Sequence, residues 1–264
     1  MESLRDWALG LPAEGRYTFT TGEARTRQAR TSAAGVAAAL GRARADAIIA
    51  SPVRGFHVVL PLEDRTIGTP AWRLFLDPLM QHLRMPYYVG LLTAASVHGA
   101  GAQAPQVVQV VAARPRRPVT VGRLRIEFVV RKTAGRAPVE LLTTRSGRVR
   151  VATPEVVALD LVRYPARAGG WANVLTVLRD LAPRLRHAGM RRALAVDPAA
   201  PDLQRLGHLL ERVGADAAAT VLASALDDRH VTWVRLAPDM PREDGEAERD
   251  LRWRIIVNST IEPD

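Results

Sequence analysis

Few residues of this 264-residue chain have types and spacings that could do chemistry. Asp160 stands inside the apolar run Val156–Val162, where an ionised carboxylate needs a partner or a proton. It is expected to be a hydrogen-bonded or ion-paired structural acid. Glu127, Arg131 and Lys132 lie close together on a β-prone run, in the manner of a nuclease-like carboxylate–lysine strand. Metal-dependent cleavage needs several carboxylates gathered on the ion, yet Glu127 and Glu140 are the only acids of residues 113–150. The six histidines, His57, His82, His98, His187, His208 and His230, have no zinc-ligand spacing. His98, next to a glycine at a helix end, reads as a cap for carbonyls. Cysteine is absent, so disulfides and thiolate chemistry are excluded. No phosphate-binding glycine loop, dinucleotide fingerprint or nucleophile elbow occurs. The expectation is a protein that is not an enzyme and uses no metal or cofactor.

The chemistry that remains is electrostatic. The formal net charge is +10, and Lys132 is the only lysine among 37 basic residues. Biased coding explains arginine in place of lysine but not the excess of base over acid. Residues 113–150 carry a net excess of nine positive charges, whereas residues 237–264 carry eight acids against four arginines. Such polarisation steers a polyanion to one face, because clustered arginines displace the counterions of a phosphate backbone. The plainer alternative is a solvated charged surface.

Positioning elements are legible at the N-terminus. A short helix over Glu2–Leu9 is followed by breaks at Gly10, Pro12 and Gly15, then a β-prone run at Arg16–Phe19. Thr20 or Thr21 can cap a helix over Gly22–Gln28, with Glu23 in its first turn. A second helix runs from Thr31 or Ser32 to Arg44, with Ala33, Val36, Ala37 and Leu40 at helical spacing. Two β-prone runs flank the turn Ser51–Gly55 and predict a hairpin. Helix, strand, two linked helices and a hairpin is the order of a winged helix-turn-helix, whose second linked helix enters the DNA major groove. Arg25, Arg27, Arg30, Arg42 and Arg44 flank the helices as phosphate clamps, and Arg54 sits at the tip of the wing. Thr31 and Ser32, beside Arg30, are the candidates for reading bases, since the helix is otherwise rich in alanine and lacks Asn and Gln. A winged helix can also serve purely as a protein-binding module.

Residues 1–62 are therefore expected to form a DNA-binding domain, Pro61–Pro70 a linker, and residues 70–264 a larger mixed α/β domain with antiparallel strands and several helices. The predicted class is α+β. Helices are expected over Ala71–Leu83, with a kink at Pro78, and over Tyr87–Gly99. Strands follow at Gln106–Ala112, in a hairpin over Pro118–Arg131 and around Ser146-Gly147. Arg123, Arg125 and Arg131 recur near period two on the polar side of that hairpin. Further helices are predicted from Pro154 to Tyr164 and over Trp171–Leu185, Asp202–Val213 and Ala215–Leu226, then strands at Arg229–Leu236 and Arg252–Ser259. The acidic stretch Asp239–Asp250 reads as a loop. The N-terminal MESLRDWALG lacks a secretion signal and no run of ~18 apolar residues occurs, so a cytoplasmic protein is expected.

The strings PYYVGLLTAASVHGAGAQAPQVVQVV at 86–111, VGRLRIEFV at 121–129, TPEVVALDLVRYPARAGGWANV at 153–174, LQRLGHLLE at 203–211 and WRIIVNSTIEPD at 253–264 resemble the AbiEi-type antitoxins of bacterial type IV toxin–antitoxin systems. YTFTTGEA and IIASPVRGFHVVL resemble the winged-helix region of that family. The resemblance spans almost the whole chain and rests on the order and spacing of the strings. It implies autorepression through inverted repeats in double-stranded DNA. It also implies antagonism of a nucleotidyltransferase-like toxin without a stable complex. Some members use basic residues outside the winged helix for DNA, which here would be Arg114, Arg116, Arg117, Arg123 and Arg125. The Ala-rich second helix, interrupted by Gly35, departs from the family pattern. The alternatives are a stand-alone winged-helix regulator, or a module whose basic surface meets RNA or an acidic protein.

Overall fold

Local capping chemistry sets where the first helices begin. In a computed structural model describing residues 2–65, 68–101, 107–227, 229–240 and 248–262, the Ser3 hydroxyl accepts the Asp6 N–H and starts α1 (Leu4–Gly10). A 3-10 turn at Leu11–Glu14 leads to β1 (Thr18–Thr20). A reciprocal capping box opens α2 (Thr21–Arg27): Thr20 Oγ1 accepts the Glu23 N–H at 3.1 Å, and the Glu23 carboxylate accepts the Thr20 N–H at 2.7 Å. Ser32 caps α3 (Ala33–Ala45) by accepting the Gly35 N–H. The chain then forms β2 (Ile49–Val53) and β3 (Phe56–Val59), turning at Arg54-Gly55, where Gly55 has φ +80°. Strand order is β1-β3-β2, with both pairs antiparallel. Leu4, Leu11, Phe19, Val36, Leu40 and Ile48 are buried in the core beneath.

Two compact units make up the chain. One comprises Met1–Tyr87, Gln106–Val130 and Leu141–Arg150; the other comprises Tyr88–Pro105, Arg131–Glu140 and Val151–Asp264. In the first unit, α4 (Leu62–Arg65) lies within the segment read as a linker. Thr69 Oγ1 accepts the Arg123 N–H at 2.7 Å. The single helix expected over 71–83 is a 3-10 turn at Trp72–Leu74 followed by α5 (Leu76–His82), with the break at Phe75 (φ −135°). Pro78 falls in the first turn of α5, where its missing N–H costs little. The helix expected over 87–99 also begins differently. Tyr87–Val89 is a strand, β4, consistent with its aromatic and β-branched residues, and α6 follows at Leu91–Val97.

β5 (Val107–Ala112), β6 (Val119–Val121) and β7 (Leu124–Val130) are neighbours in the order β6-β7-β5. The β6–β7 pair is the expected antiparallel hairpin, but β5 and β7 run parallel, Val108 opposite Ile126 and Val110 opposite Phe128. Gln106 lies outside the described residues. β2 packs beside β6 within this unit. A further run has the order β4-β9-β8, with β8 at Val139–Thr144 and β9 at Gly147–Ala152. Val89 of β4 is opposite Val151 of β9 in a parallel pair.

The second unit is mainly helical: α7 (Pro154–Arg163), α8 (Trp171–Leu181), α9 (His187–Ala193), α10 (Ala200–Arg212) and α11 (Asp216–Asp227). Pro154 sits in the first turn of α7 as expected, and every residue from Pro154 to Val162 is buried. That helix packs against α6, α8, α9 and α10. The two expected late strands are shorter, β10 (Val234–Arg235) and β12 (Ile255–Val257), and β11 (Glu248–Asp250) is a strand at the end of the stretch read as a loop; their order is β10-β12-β11. Residues 241–247 of the acidic stretch lie outside the described residues. The fold is mixed α+β, and among the described residues no helix is long and apolar enough to cross a membrane.

Candidate nucleic-acid interface

A groove of about 570 Å³ in the first unit lies among α2, α3 and the β2–β3 hairpin. Three of the predicted phosphate contacts, Arg25 of α2, Arg44 of α3 and Arg54 of the hairpin turn, line it. All three are exposed, and none has an ion pair among the described residues. Val36, Ala37, Leu40, Pro52 and Val53 form its apolar wall. Among the described residues no aspartate or glutamate lines it.

The floor of the groove is His57, which sequence reading treated as one scattered histidine among six. Its Nε2 lies 2.9 Å from Thr21 Oγ1 and its Nδ1 lies 2.8 Å from Ser51 Oγ. Thr21 also donates its N–H to Gly55 O at 3.0 Å, so the start of α2 is tied to the hairpin twice. Burial, with the charge of Arg44 and the neighbouring His82 adding to it, pushes the His57 imidazole down to about 4. The ring is neutral at physiological pH. His82 Nε2 lies 3.3 Å from the Arg54 carbonyl, at the turn that carries the Arg54 side chain. The only hint of this arrangement in the sequence is that Phe56-His57-Val58-Val59 offers no polar alternation. All four residues are buried.

The other predicted contacts do not line this groove. Arg27 is ion-paired with Glu2 at 2.6 Å, and Arg30 and Arg42 are exposed. Thr31 is half-buried in the turn between α2 and α3, where its N–H donates to Gln28 O at 2.8 Å. The Ser32 hydroxyl is occupied as the α3 cap.

Arg114, Arg116, Arg117, Arg123 and Arg125 of the basic strand segment belong to the same unit. Arg117 and Arg123 are exposed without an ion pair among the described residues. Arg125 Nε donates to Glu127 Oε1 at 2.8 Å, and Arg114 Nη2 donates to the Arg84 carbonyl at 3.1 Å. Arg116 is half-buried, its Nε enclosed without a hydrogen-bond partner. Arg131, expected to continue the polar face with Arg123 and Arg125, is buried instead. The nuclease-like grouping therefore does not form: Glu127 is engaged by Arg125, Lys132 is exposed, and Arg131 faces Asp160.

In the second unit, Asp160 has the partners that its sequence surroundings required. Tyr88 Oη donates to Asp160 Oδ2 at 2.9 Å, and Arg131 Nη2 lies 2.7 Å from Oδ1, outside hydrogen-bond alignment. Burial raises the carboxyl to about 6 against the opposing pull of Arg131. His98 Nε2 lies 2.7 Å from the Ala152 carbonyl rather than capping its own helix. Arg163 bonds Asp202 at 2.7 Å, and the Glu155 carboxylate accepts the Arg186 N–H at 3.0 Å. These groups stabilise a helical core. Among the described residues no three His, Asp or Glu side chains gather as a metal site.

Comparison with known proteins bears on both units. The RV2827C protein from Mycobacterium tuberculosis is similar over 95% of this chain and 89% of its own, with a TM-score of 0.65 and 18% identity, a likeness of fold. The comparison with curated proteins returns no match. Residues 88–212 match the AbiEi antitoxin C-terminal domain. The match begins at the buried Tyr88, takes in Arg131 and Asp160, and ends with the last residue of α10. Residues 88–212 thus form an AbiEi antitoxin C-terminal domain, which supports the role of an antitoxin in a toxin–antitoxin system.

Proposed function

We propose that the chain is the cytoplasmic antitoxin of a type IV toxin–antitoxin system, and that it represses its own operon by holding inverted repeats in double-stranded DNA. It opposes a nucleotidyltransferase-like toxin without a stable complex, acting by binding rather than catalysis. Residues 1–62 act as the winged helix-turn-helix, and residues 70–264 carry the antitoxin activity. The observation that carries the DNA reading is the convergence of Arg25, Arg44 and Arg54 on one carboxylate-free groove, beside a helix and a hairpin in winged-helix order.

The chemistry favours phosphate contacts over base reading. α3 exposes Ala33, Ala34, Ala37 and Ala38, which carry no hydrogen-bonding groups. Arg30, Thr31 and Arg42 extend the contact surface along the helices, while Ser32 sets the α3 start from which it is presented. Arg114, Arg116, Arg117, Arg123 and Arg125 add phosphate contacts from the same compact unit. Arg27 and Arg125 keep N–H donors beyond those engaged by their carboxylate partners. Binding that rests on phosphates falls steeply with salt, by ~0.9 log units per decade of salt for each contact.

The test is titration of the purified full chain against its own upstream region, an unrelated duplex and a structured RNA at several salt concentrations. Tighter binding to the upstream region with a steep salt slope supports the proposal. Equal binding to RNA favours an RNA-directed module, and no duplex binding at low salt ends the DNA reading.

A further inference from the structure

We infer that the groove among α2, α3 and the hairpin is also a site for a free nucleotide-sized organic phosphate. The argument starts from what a DNA backbone does not require. Phosphate contacts need exposed cations, and Arg25, Arg44 and Arg54 supply them from three separate elements. Three like charges around one groove with no lining carboxylate repel one another, and a bound anion relieves that repulsion. Guanidinium forks match a phosphate with paired hydrogen bonds, and an exposed arginine has its donors available for them.

The rest of the groove serves no purpose for a bare phosphate. Val36, Ala37 and Leu40 on one side and Pro52 and Val53 on the other give an apolar slot beside the cations. Its volume of about 570 Å³ lies within the roughly 300–1,000 Å³ typical of small-ligand pockets. An apolar slot continuous with a cationic rim fits a ligand with a ring at one end and a phosphate ester at the other. The neutral His57 floor, with both ring nitrogens engaged by Thr21 and Ser51, fixes the distance between α2 and the hairpin. These hydrogen bonds set the spacing of the α2 and hairpin sides of the groove independently of a ligand.

A nucleotide offers this chemistry from two sources, free in solution or within a DNA strand. The free source has a regulatory consequence, which rests on the DNA reading above. A nucleotide among Arg25, Arg44 and Arg54 competes with the DNA phosphates for the same cations and releases the operator.

The experiment titrates the full chain with AMP by calorimetry at low salt, with adenosine and inorganic phosphate as separate arms. AMP is expected to bind one-to-one, with adenosine and phosphate each at least tenfold weaker. R25Q/R54Q and A37E are each expected to weaken AMP at least tenfold with an unchanged melting profile, since all three positions are exposed. Saturating AMP is expected to weaken upstream-DNA binding at least tenfold. Absence of AMP binding at millimolar concentration, phosphate binding as tight as AMP, or insensitivity to both variants overturns the site. Unchanged DNA affinity at saturating AMP overturns the competition. A chain that binds AMP but no DNA keeps the site and removes the DNA reading; a chain that binds DNA but no AMP does the reverse.

Discussion

Arg131 and Asp160 meet at 2.7 Å with side chains that are 6% and 0% exposed. Removing one partner leaves the other buried without compensation, which typically costs about 3–5 kcal/mol. Arg131→Met is expected to destabilise the protein by that order, and Asp160→Asn by less, because an amide still accepts from Tyr88. Urea denaturation of the two single variants and of Arg131→Met/Asp160→Leu checks this. The double variant is expected to recover part of the loss, and strictly additive losses would show that the pair is not coupled.

His57 supplies a pH dependence with a definite sign. Its folded-state pKa is about 4 against the ordinary histidine value of 6.5, so between those values the unfolded chain binds more protons than the folded one. The stabilisation is complete above pH 6.5 and is lost as pH falls toward 4, amounting to about 3 kcal/mol at most. His57→Gln, which hydrogen-bonds without titrating, is expected to be less stable at pH 7 but to lose less between pH 7 and 4.5. Parallel pH profiles for the two proteins would contradict this.

Gly207 sits in α10 against the Trp253 ring, where an added Cβ would fall 2.1 Å from a ring carbon. Helix propensity favours alanine there by about 1 kcal/mol. Overpacking a closed contact costs about 1–3 kcal/mol or more, so the clash dominates. Trp253 is 1% exposed and its indole N–H donates to Glu211 at 2.8 Å, so the ring has little freedom to withdraw. Gly207→Ala is expected to lower the melting temperature and shift the tryptophan emission; a stabilised variant would refute the packing argument.

Arg117 and Arg123 are exposed cations of the basic strand segment whose side chains have no ion pair among the described residues. If each meets a phosphate, neutralising both as Arg117→Gln/Arg123→Gln is expected to reduce the slope of log affinity against log salt by roughly 1.8. Duplex titrations at four or more salt concentrations measure it. An unchanged slope would assign the segment to another partner.

What the sequence determined by itself is local. Thr20 with Glu23 and Ser32 mark helix starts because a cap acts on N–H groups two or three residues away, and Pro154 marks one because its fixed φ suits the first turn. The β2–β3 and β6–β7 hairpins follow from short turns between β-prone runs. The family strings carried the antitoxin assignment, and residues 88–212 bear it out. Tertiary structure decided the partners. Arg131 shares the period of Arg123 and Arg125, yet it turns inward because a buried carboxylate 29 residues further on needs a countercharge. Parallel pairing of β5 with β7 joins strands that are not consecutive in the chain, which periodicity within either strand does not specify. The groove exists only because three arginines up to 29 residues apart are brought together over a histidine whose two hydroxyl partners come from different elements. Alternation and capping are settled within a few residues; which charge meets which is settled by packing and the low dielectric that packing creates.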